Sequence, residues 1–497
     1  MTPEAIEREF DVIVIGAGAV GENAADRVVK GGLTAILVEA ELVGGECSYW
    51  ACMPSKALLR PGIALHGAQS VQGAEQAVTG ILDAQAVLKR RDTFTSNWQD
   101  DGQVQWVEDT GIDLLRGHAF ITAPRQVEVA GLDGGTHRLR ARHAIVLATG
   151  SHPTLPPIDG LEGLEVWGTR EATSAQEVPE SLAVLGGGVA GTELAQAFAR
   201  LGSKVTLVAR GALLGNYPEE ASRLVAAGLR ADGVELRLHT NTEHVEQNHN
   251  GSFTLTLAGG ATVTAEKLLV STGRHPAVEG LGLENLGFTS DDGKPLTLET
   301  DTTGAVKGVP ARLNTGQGAE GDQDQQPWLY AIGDAAGKVL LTHQGKYEAR
   351  ATGDAIVARS NGTLNGDPAD WSKQAQTANV NAVPQIVFTD PELASVGRSK
   401  KQAQEDGFNV SSVELPIAVA GSSLHADNYE GWAQLVIDEE RKVLLGATFA
   451  GPDVAELLHA ATIAVVGEVP LDRLWHAVPS YPTISEVWLR LLEKYGL

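Results

Sequence analysis

One short pattern, an apolar run ending in glycines spaced G-x-G-x-x-G, occurs twice and constrains the fold more than any other feature of the chain. The first copy comes almost at once. Asp11-Val-Ile-Val-Ile is β-branched and apolar, and it leads into Gly16-Ala-Gly18-Ala-Val-Gly21. A helical pattern follows over Glu22 to Lys30, then a second apolar strand, Thr34-Ala-Ile-Leu-Val, that ends in Glu39. In such a strand–turn–helix–strand unit the first glycine permits the tight turn. The second lets the backbone approach a pyrophosphate, and the third lets helix and strand lie close together. The pyrophosphate would sit on the helix N-terminus, and Glu39, 23 residues after Gly16, would accept hydrogen bonds from ribose hydroxyls.

The second copy lies 170 residues further on. Leu182-Ala-Val-Leu leads into Gly186-Gly-Gly188-Val-Ala-Gly191, a helix is expected over Thr192 to Leu201, and a strand over Lys204 to Val208. Here the strand is followed by Ala209-Arg210 rather than by an acid. A carboxylate at this place suits a free 2′-hydroxyl, whereas a guanidinium suits a 2′-phosphate, so this site is expected to prefer NADPH, with NADH as the other donor. The other reading of Arg210 is a solvated loop arginine. Two fingerprints imply two dinucleotides, the layout of an enzyme that moves electrons between a flavin and a nicotinamide.

Composition limits the remaining choices. Among 497 residues, 63 acids against 38 bases give a formal charge of −25, which argues against nucleic acid or an anionic membrane as the main partner. Met1 to Phe10 is polar and charged, no window approaches the length of a membrane helix, and a cytoplasmic location is expected. Two cysteines exclude a disulfide-stapled scaffold and a four-cysteine zinc site, and no metal is expected.

Both cysteines stand in Gly44-Gly45-Glu-Cys47-Ser-Tyr-Trp-Ala-Cys52-Met-Pro54-Ser-Lys56. On a regular helix, residues five apart have Cα atoms roughly 8 to 9 Å apart, whereas a disulfide needs less than about 7 Å. Bonding would therefore require a distorted segment, which Pro54 could supply or tolerate. A helix N-terminus would lower the pKa of one thiol. The spacing alone equally allows two free buried thiols with no role.

Gly44 to Lys56 resembles the redox-active disulfide motif of the class I pyridine nucleotide–disulfide oxidoreductases, the flavoenzymes that include dihydrolipoyl dehydrogenase, glutathione reductase and mercuric reductase. The resemblance runs over nearly the whole chain. Ala148-Thr149-Gly150 is similar to the family's turn closing the first FAD segment, and Ser271-Thr-Gly273-Arg274 to its counterpart after the nicotinamide domain. Tyr330-Ala-Ile-Gly333-Asp334 is similar to the second FAD motif, followed by Leu341-Thr-His-Gln. Val383 to Gly397 resembles the start of the dimerisation domain.

The resemblance implies an α/β chain with two Rossmann-type domains and a C-terminal α+β dimerisation domain. The expected segments are 1–155 (FAD), 156–279 (nicotinamide), 280–375 (FAD) and 376–497 (interface). It implies FAD on Gly16, Gly18, Gly21, Glu39 and Gly45, with Lys56, Thr149, Gly150, Gly333 and Asp334. The nicotinamide would fall to Gly186, Gly188, Gly191, Arg210 and Gly273. Cys52 would be the thiolate beside the flavin and Cys47 the interchange thiol. Lys56 would pair with Glu193, the other reading being two separate surface residues. The enzyme would be a homodimer passing electrons from NAD(P)H through FAD to a small-molecule acceptor.

The chain departs from the family near its end. Where the partner subunit normally supplies a histidine–glutamate pair, this sequence has Tyr481-Pro-Thr-Ile-Ser-Glu486. A phenol, with an ordinary pKa near 10, is a poor base at neutral pH. Either Tyr481 binds or orients the acceptor, or His476 reaches in, or electrons leave to a quinone or metal ion rather than to a disulfide. The two cysteines leave none for a C-terminal pair, against mercuric reductase proper. Tyr49 and Trp50, between the cysteines, would either narrow access to them or belong to the core. A polar, glycine-rich insertion at 308–327 is expected to be a surface loop. The alternative to catalysis is a redox-sensing or scaffolding flavoprotein.

Overall fold

The computed structural model describes residues 6–290, 294–309 and 326–497. Most of the 308–327 insertion lies outside them. The chain forms two compact units, each assembled from separate stretches.

The first unit comprises residues 1–52, 95–153 and 274–379 and is built on a parallel sheet. Its strands run in the order Asp113–Ala123, Ala35–Glu39, Ile6–Ile15, Thr136–Leu147, Leu329–Ala331. The antiparallel strand Gln126–Gly131 pairs with both Asp113–Ala123 and Thr136–Leu147. A parallel strand covered on both faces needs apolar residues at every position. Accordingly, Val12 and Val14 enter one core with Leu37 and Val146, while Ile13 and Ile15 enter the opposite one with Ile36 and Ile145. Each fully buried side chain of this kind stabilises by about 1.5–3 kcal/mol.

The second unit comprises residues 53–94, 154–273 and 380–497. It holds a four-stranded parallel sheet in the order Lys267–Val270, Ser181–Leu185, Lys204–Val208, Glu235–Arg237. The same logic applies, with Leu182 and Val184 on one side and Ala183 and Leu185 on the other. A three-stranded antiparallel sheet (Thr242–Gln247, Phe253–Leu257, Thr262–Ala265) accompanies it. The C-terminal part is a five-stranded antiparallel sheet in the order Pro384–Val387, Glu392–Gly397, Val443–Gly451, Trp432–Asp438, Val410–Pro416. No helix among the described residues is long and apolar enough to cross a membrane.

Two helices start earlier than the sequence pattern implies. They run over Ala19–Lys30 and Val189–Arg200, with Gly18 and Gly188 as N-caps, so each begins inside its glycine turn. Glycine is a poor helix former, which pushes a propensity-based start past the third glycine. Packing overrides propensity there: a Cβ on Gly21 would stand 1.9 Å from the Gly16 carbonyl oxygen, and only hydrogen fits.

Candidate functional site

The cysteine segment is two helical pieces rather than one. Gly45–Tyr49 is a short helix carrying Cys47, and Cys52 opens the 18-residue helix Cys52–Gln69. Between them Trp50 leaves helical geometry at φ −135°, and the amides of Trp50 and Ala51 both donate to the Glu46 carbonyl. The distortion therefore falls at Trp50–Ala51 and not at Pro54, which sits in the first turn of the second helix, where a missing N–H costs nothing. Pro61 further along frees the Ala57 carbonyl, and Arg90 Nη1 donates to it at 3.1 Å.

Both cysteines are half-buried thiols. Hydrogen bonding of Cys47 to Cys52, followed by burial, pushes the Cys47 thiol well above its ordinary value. Cys52 Sγ also lies 3.3 Å from Thr342 Oγ1 and occupies a helix N-terminus, where a thiolate is favoured. Lys346, one turn beyond Thr342 on the helix Thr342–Ser360, acts on Cys47 as a nearby positive charge. Thr342 belongs to the Leu341-Thr-His-Gln motif, and Lys346 carries no local signal in the sequence. Of the two aromatics, Tyr49 is core: fully buried, it donates from its hydroxyl to the Val43 carbonyl at 3.1 Å. Trp50 is half-buried and meets Tyr49 edge-on at 5.6 Å.

Around the first glycine turn, Gly16 adopts φ +98°, with Ala148 O 2.4 Å from where a Cβ would be. A Cβ on Gly45 would stand 2.8 Å from Gly18 Cα, so the cysteine segment and the glycine turn touch through bare backbone. Glu39 accepts from the Ala17 amide at 2.6 Å and from the Glu41 amide at 2.8 Å, and burial raises its pKa. Gly150 takes φ +79°, and Thr149 Oγ1 is buried with no hydrogen-bond partner among the described residues. Asp334 accepts from Ser151 Oγ, which in turn accepts from Arg274 Nε at 2.7 Å, and burial raises the Asp334 pKa. Gly333 donates its amide to Glu348, a buried carboxylate pushed up to about 7 chiefly by burial. Nothing local in the sequence marks Glu348.

In the second unit the structure brings Lys56 and Glu193 together: Lys56 Nζ stands 2.6 Å from Glu193 Oε2. Glu193 is 2% exposed, its other oxygen accepts from the Phe388 amide at 2.9 Å, and Lys56 Nζ lies 4.9 Å over the Phe388 ring. Gly186, at φ +124°, would place a Cβ 2.2 Å from Ser271 O, and Gly191 repeats the role of Gly21 against Gly186 O at 2.4 Å. Gly188 faces open space, and Gly273 takes φ +145°. Arg210 is exposed on the loop after Lys204–Val208, and a Cβ on Gly187 would meet Ala209 Cβ at 2.9 Å, so that loop borders the second glycine turn.

The C-terminal candidates differ in burial. Tyr481 is 77% exposed and His476 is also exposed. Glu486 is buried; one oxygen accepts from Arg490 Nη2 at 2.6 Å, and the other has no partner among the described residues.

The match to known proteins follows this geometry closely. The family model described as pyridine nucleotide-disulphide oxidoreductase matches residues 10–353, and that of its dimerisation domain matches 383–491. The chain belongs to this family and is a class I pyridine nucleotide–disulfide oxidoreductase. It is 32% identical to a dihydrolipoyl dehydrogenase of Thermus scotoductus, over 96% of each chain. It is 31% identical to a mercuric reductase of Streptomyces lividans, over 96% of this chain and 94% of that one. Its fold superposes with a TM-score of 0.78, at 23% identity, on the copper(II) complex of the HOCl-induced flavoprotein disulfide reductase RclA of Escherichia coli, covering 98% of this chain and 99% of that one. The dimerisation-domain match supports a homodimer.

The family uses FAD and NAD(P)H, and the residues present fit both. The bare glycine cradle, the orphaned Thr149 hydroxyl and a helix N-terminus without a side-chain cap are what a pyrophosphate requires. Gly21→Ala is expected to cost about 1–3 kcal/mol through overpacking against the Gly16 carbonyl. It should also purify with little flavin, as read from the ratio of flavin to protein absorbance.

Proposed function

We propose that the chain is an NADPH-dependent, FAD-containing disulfide reductase whose electrons leave through Cys47 and Cys52. The observation that carries this reading is the pair itself, with Cys47 raised by its neighbour Cys52 and by burial, and Cys52 Sγ held 3.3 Å from Thr342 Oγ1 at a helix N-terminus. FAD, when bound, supplies the two-electron relay between the nicotinamide and the cysteines. In the oxidised enzyme the two sulfurs are bonded. Two electrons and one proton from NADPH, with one proton from solvent, break that bond and leave two thiols. Cys47 sulfur then attacks a substrate disulfide, the first product thiol leaves with a proton, and Cys52 displaces the second as the internal disulfide re-forms. Thr342 and the helix N-terminus favour negative charge on Cys52, while Lys56, neutralised by Glu193, places a cation for the reduced flavin. The segments 1–155, 156–279, 280–375 and 376–497 are part of the same proposal, as is pairing of Tyr481 to Glu486 with the disulfide of a second copy.

A second reading is favoured by Tyr481, which stands where a base is expected: the acceptor is a quinone or a metal ion. Relatives named dihydrolipoyl dehydrogenase and mercuric reductase match at 32% and 31% identity, so similarity does not choose between them. A panel of disulfides, quinones, metal ions and oxygen, run with NADH and NADPH, decides it. Fastest turnover with a disulfide supports the first reading, and turnover confined to quinones or metal ions overturns it. For the donor, Arg210→Ala is expected to raise KM for NADPH about tenfold and leave NADH unchanged, the worth of one charge-assisted bond to a 2′-phosphate. Equal effects on both nucleotides would contradict the assignment of Arg210.

A further inference from the structure

Glu22, in the first turn of the helix Ala19–Lys30, has no part in the roles above. Its amide donates to the Gly18 carbonyl at 3.0 Å, so its side chain shares a helix face with Gly18. It is at Gly18 that the cysteine segment touches this helix, through Gly45. A second helix reaches the same segment in the same way. Thr342, the first residue of Thr342–Ser360, stands 3.3 Å from Cys52 Sγ, and Lys346 follows it four residues on, on the same face. The two helices also meet each other: a Cβ on Gly345 would stand 2.6 Å from Val20 Cγ2. Glu22 and Lys346 therefore come to the cysteine segment from two sides of one junction, all within the first unit.

Glu22 is poorly satisfied. Its Oε1 is shut off from solvent and meets no hydrogen-bond partner among the described residues. Such an oxygen is costly, and more so when the carboxyl is ionised. Burial accordingly pushes Glu22 up to about 7, with Lys346 pulling the other way and Glu39 adding to the rise. Burial also pushes the nearby Tyr49 phenol up to about 12, helped by the charges of Asp100, Glu22 and Asp101 and opposed by Arg116, so it stays neutral. Lys346 thus serves two anions. Its charge favours the Glu22 carboxylate, and it favours ionisation of Cys47 against the effects of Cys52 and burial.

We infer that Lys346 is the counter-charge of the thiolate formed in the Cys47–Cys52 pair, and that Glu22 gates it. Ionised, Glu22 claims the ammonium; protonated, it leaves the ammonium to the sulfur. The inference rests on the reading that the pair is the redox centre. Thiol and carboxyl are thereby linked: a Cys47 thiol and a Glu22 carboxylate become a Cys47 thiolate and a Glu22 carboxyl. One proton changes place, no electron moves, and the net charge around Lys346 is unchanged. The thiol proton is then handled within one subunit, in a chain whose C-terminal segment offers the phenol of Tyr481 where a histidine is expected. Glu22 and Lys346 are positioning residues, since they act on the sulfurs through charge.

The test is the pH dependence of alkylation by iodoacetamide in the FAD-loaded enzyme after anaerobic reduction with NADPH, with label on Cys47 resolved from label on Cys52 by mass. The rate against pH gives the midpoint of thiolate formation. Lys346→Met is expected to raise that midpoint by about one pH unit, the effect of losing a nearby opposite charge, and Lys346→Arg to restore it. Glu22→Gln, nearly isosteric and so readable even if Lys346→Met folds poorly, is expected to lower it by about half a pH unit. Combined with Lys346→Met, Glu22→Gln should add no shift of its own, because Glu22 without its cation stays protonated at neutral pH. Three results overturn the inference: midpoints unmoved in both single variants, the same shift in Lys346→Arg as in Lys346→Met, or a midpoint that moves only in Tyr481→Phe. Cysteines that stay unlabelled after the flavin is reduced would instead overturn the redox pair itself, and the inference with it.

Discussion

Cys47→Ser is expected to lower kcat/KM for a disulfide substrate by about a thousandfold or more, because a hydroxyl cannot replace the attacking sulfur. In the proposed assignment Cys47 is the sulfur that meets substrate, because Thr342 and the helix N-terminus favour the retained thiolate on Cys52. When Cys47 becomes serine, Cys52 keeps Thr342 and its helix N-terminus and still forms a thiolate. NADPH oxidation with a quinone should then persist within a few-fold of the parent. Steady-state rates with the two acceptor classes, measured on the same preparation, check this. Equal loss with both would show that every electron passes through the cysteines, and no loss with the disulfide would remove Cys47 from the mechanism.

Lys56→Ala is the second large effect. Glu193 is almost wholly buried, and removing its cation leaves a carboxylate supported, among the described residues, by the Phe388 amide. Breaking a fully buried pair from one side costs about 3–5 kcal/mol; Lys56 is 35% exposed and the Phe388 amide bond is retained, so the loss here is expected to fall below that range. Replacing both partners by apolar residues of similar size, Lys56→Met with Glu193→Leu, should recover most of the stability, since a buried pair and a hydrophobic pair are often near parity. It should not recover the rate of flavin reduction by NADPH, which depends on the cation itself. Chemical denaturation and rapid-mixing absorbance separate the two roles. If the double variant reduces its flavin at the parent rate, the pair is structural only.

What could be read from the sequence was what is local in the chain. Gly16, Gly18 and Gly21 sit in one turn, and their spacing states a backbone requirement that the structure repeats at Gly186 to Gly191. The cysteines, five residues apart, required a break in the helix, although its position at Trp50–Ala51 rather than Pro54 depends on the Glu46 carbonyl capturing two amides. Tyr49 could not be assigned to core or access channel until Val43 and its hydroxyl were seen together. The partners that tune the site come from far along the chain and follow no period. Thr342 reaches Cys52 across 290 residues. The Lys56–Glu193 pair, 137 residues apart, was accessible only through resemblance, since each residue alone is unremarkable.

The most direct test is a count of thiols that can be alkylated under anaerobic, denaturing quench, before and after one equivalent of NADPH. The chain has only two cysteines, so every label is assignable by mass. The account predicts no label on the oxidised enzyme and labels on both Cys47 and Cys52 after NADPH. Both thiols free before NADPH, or still unlabelled after the flavin has been reduced, would contradict it.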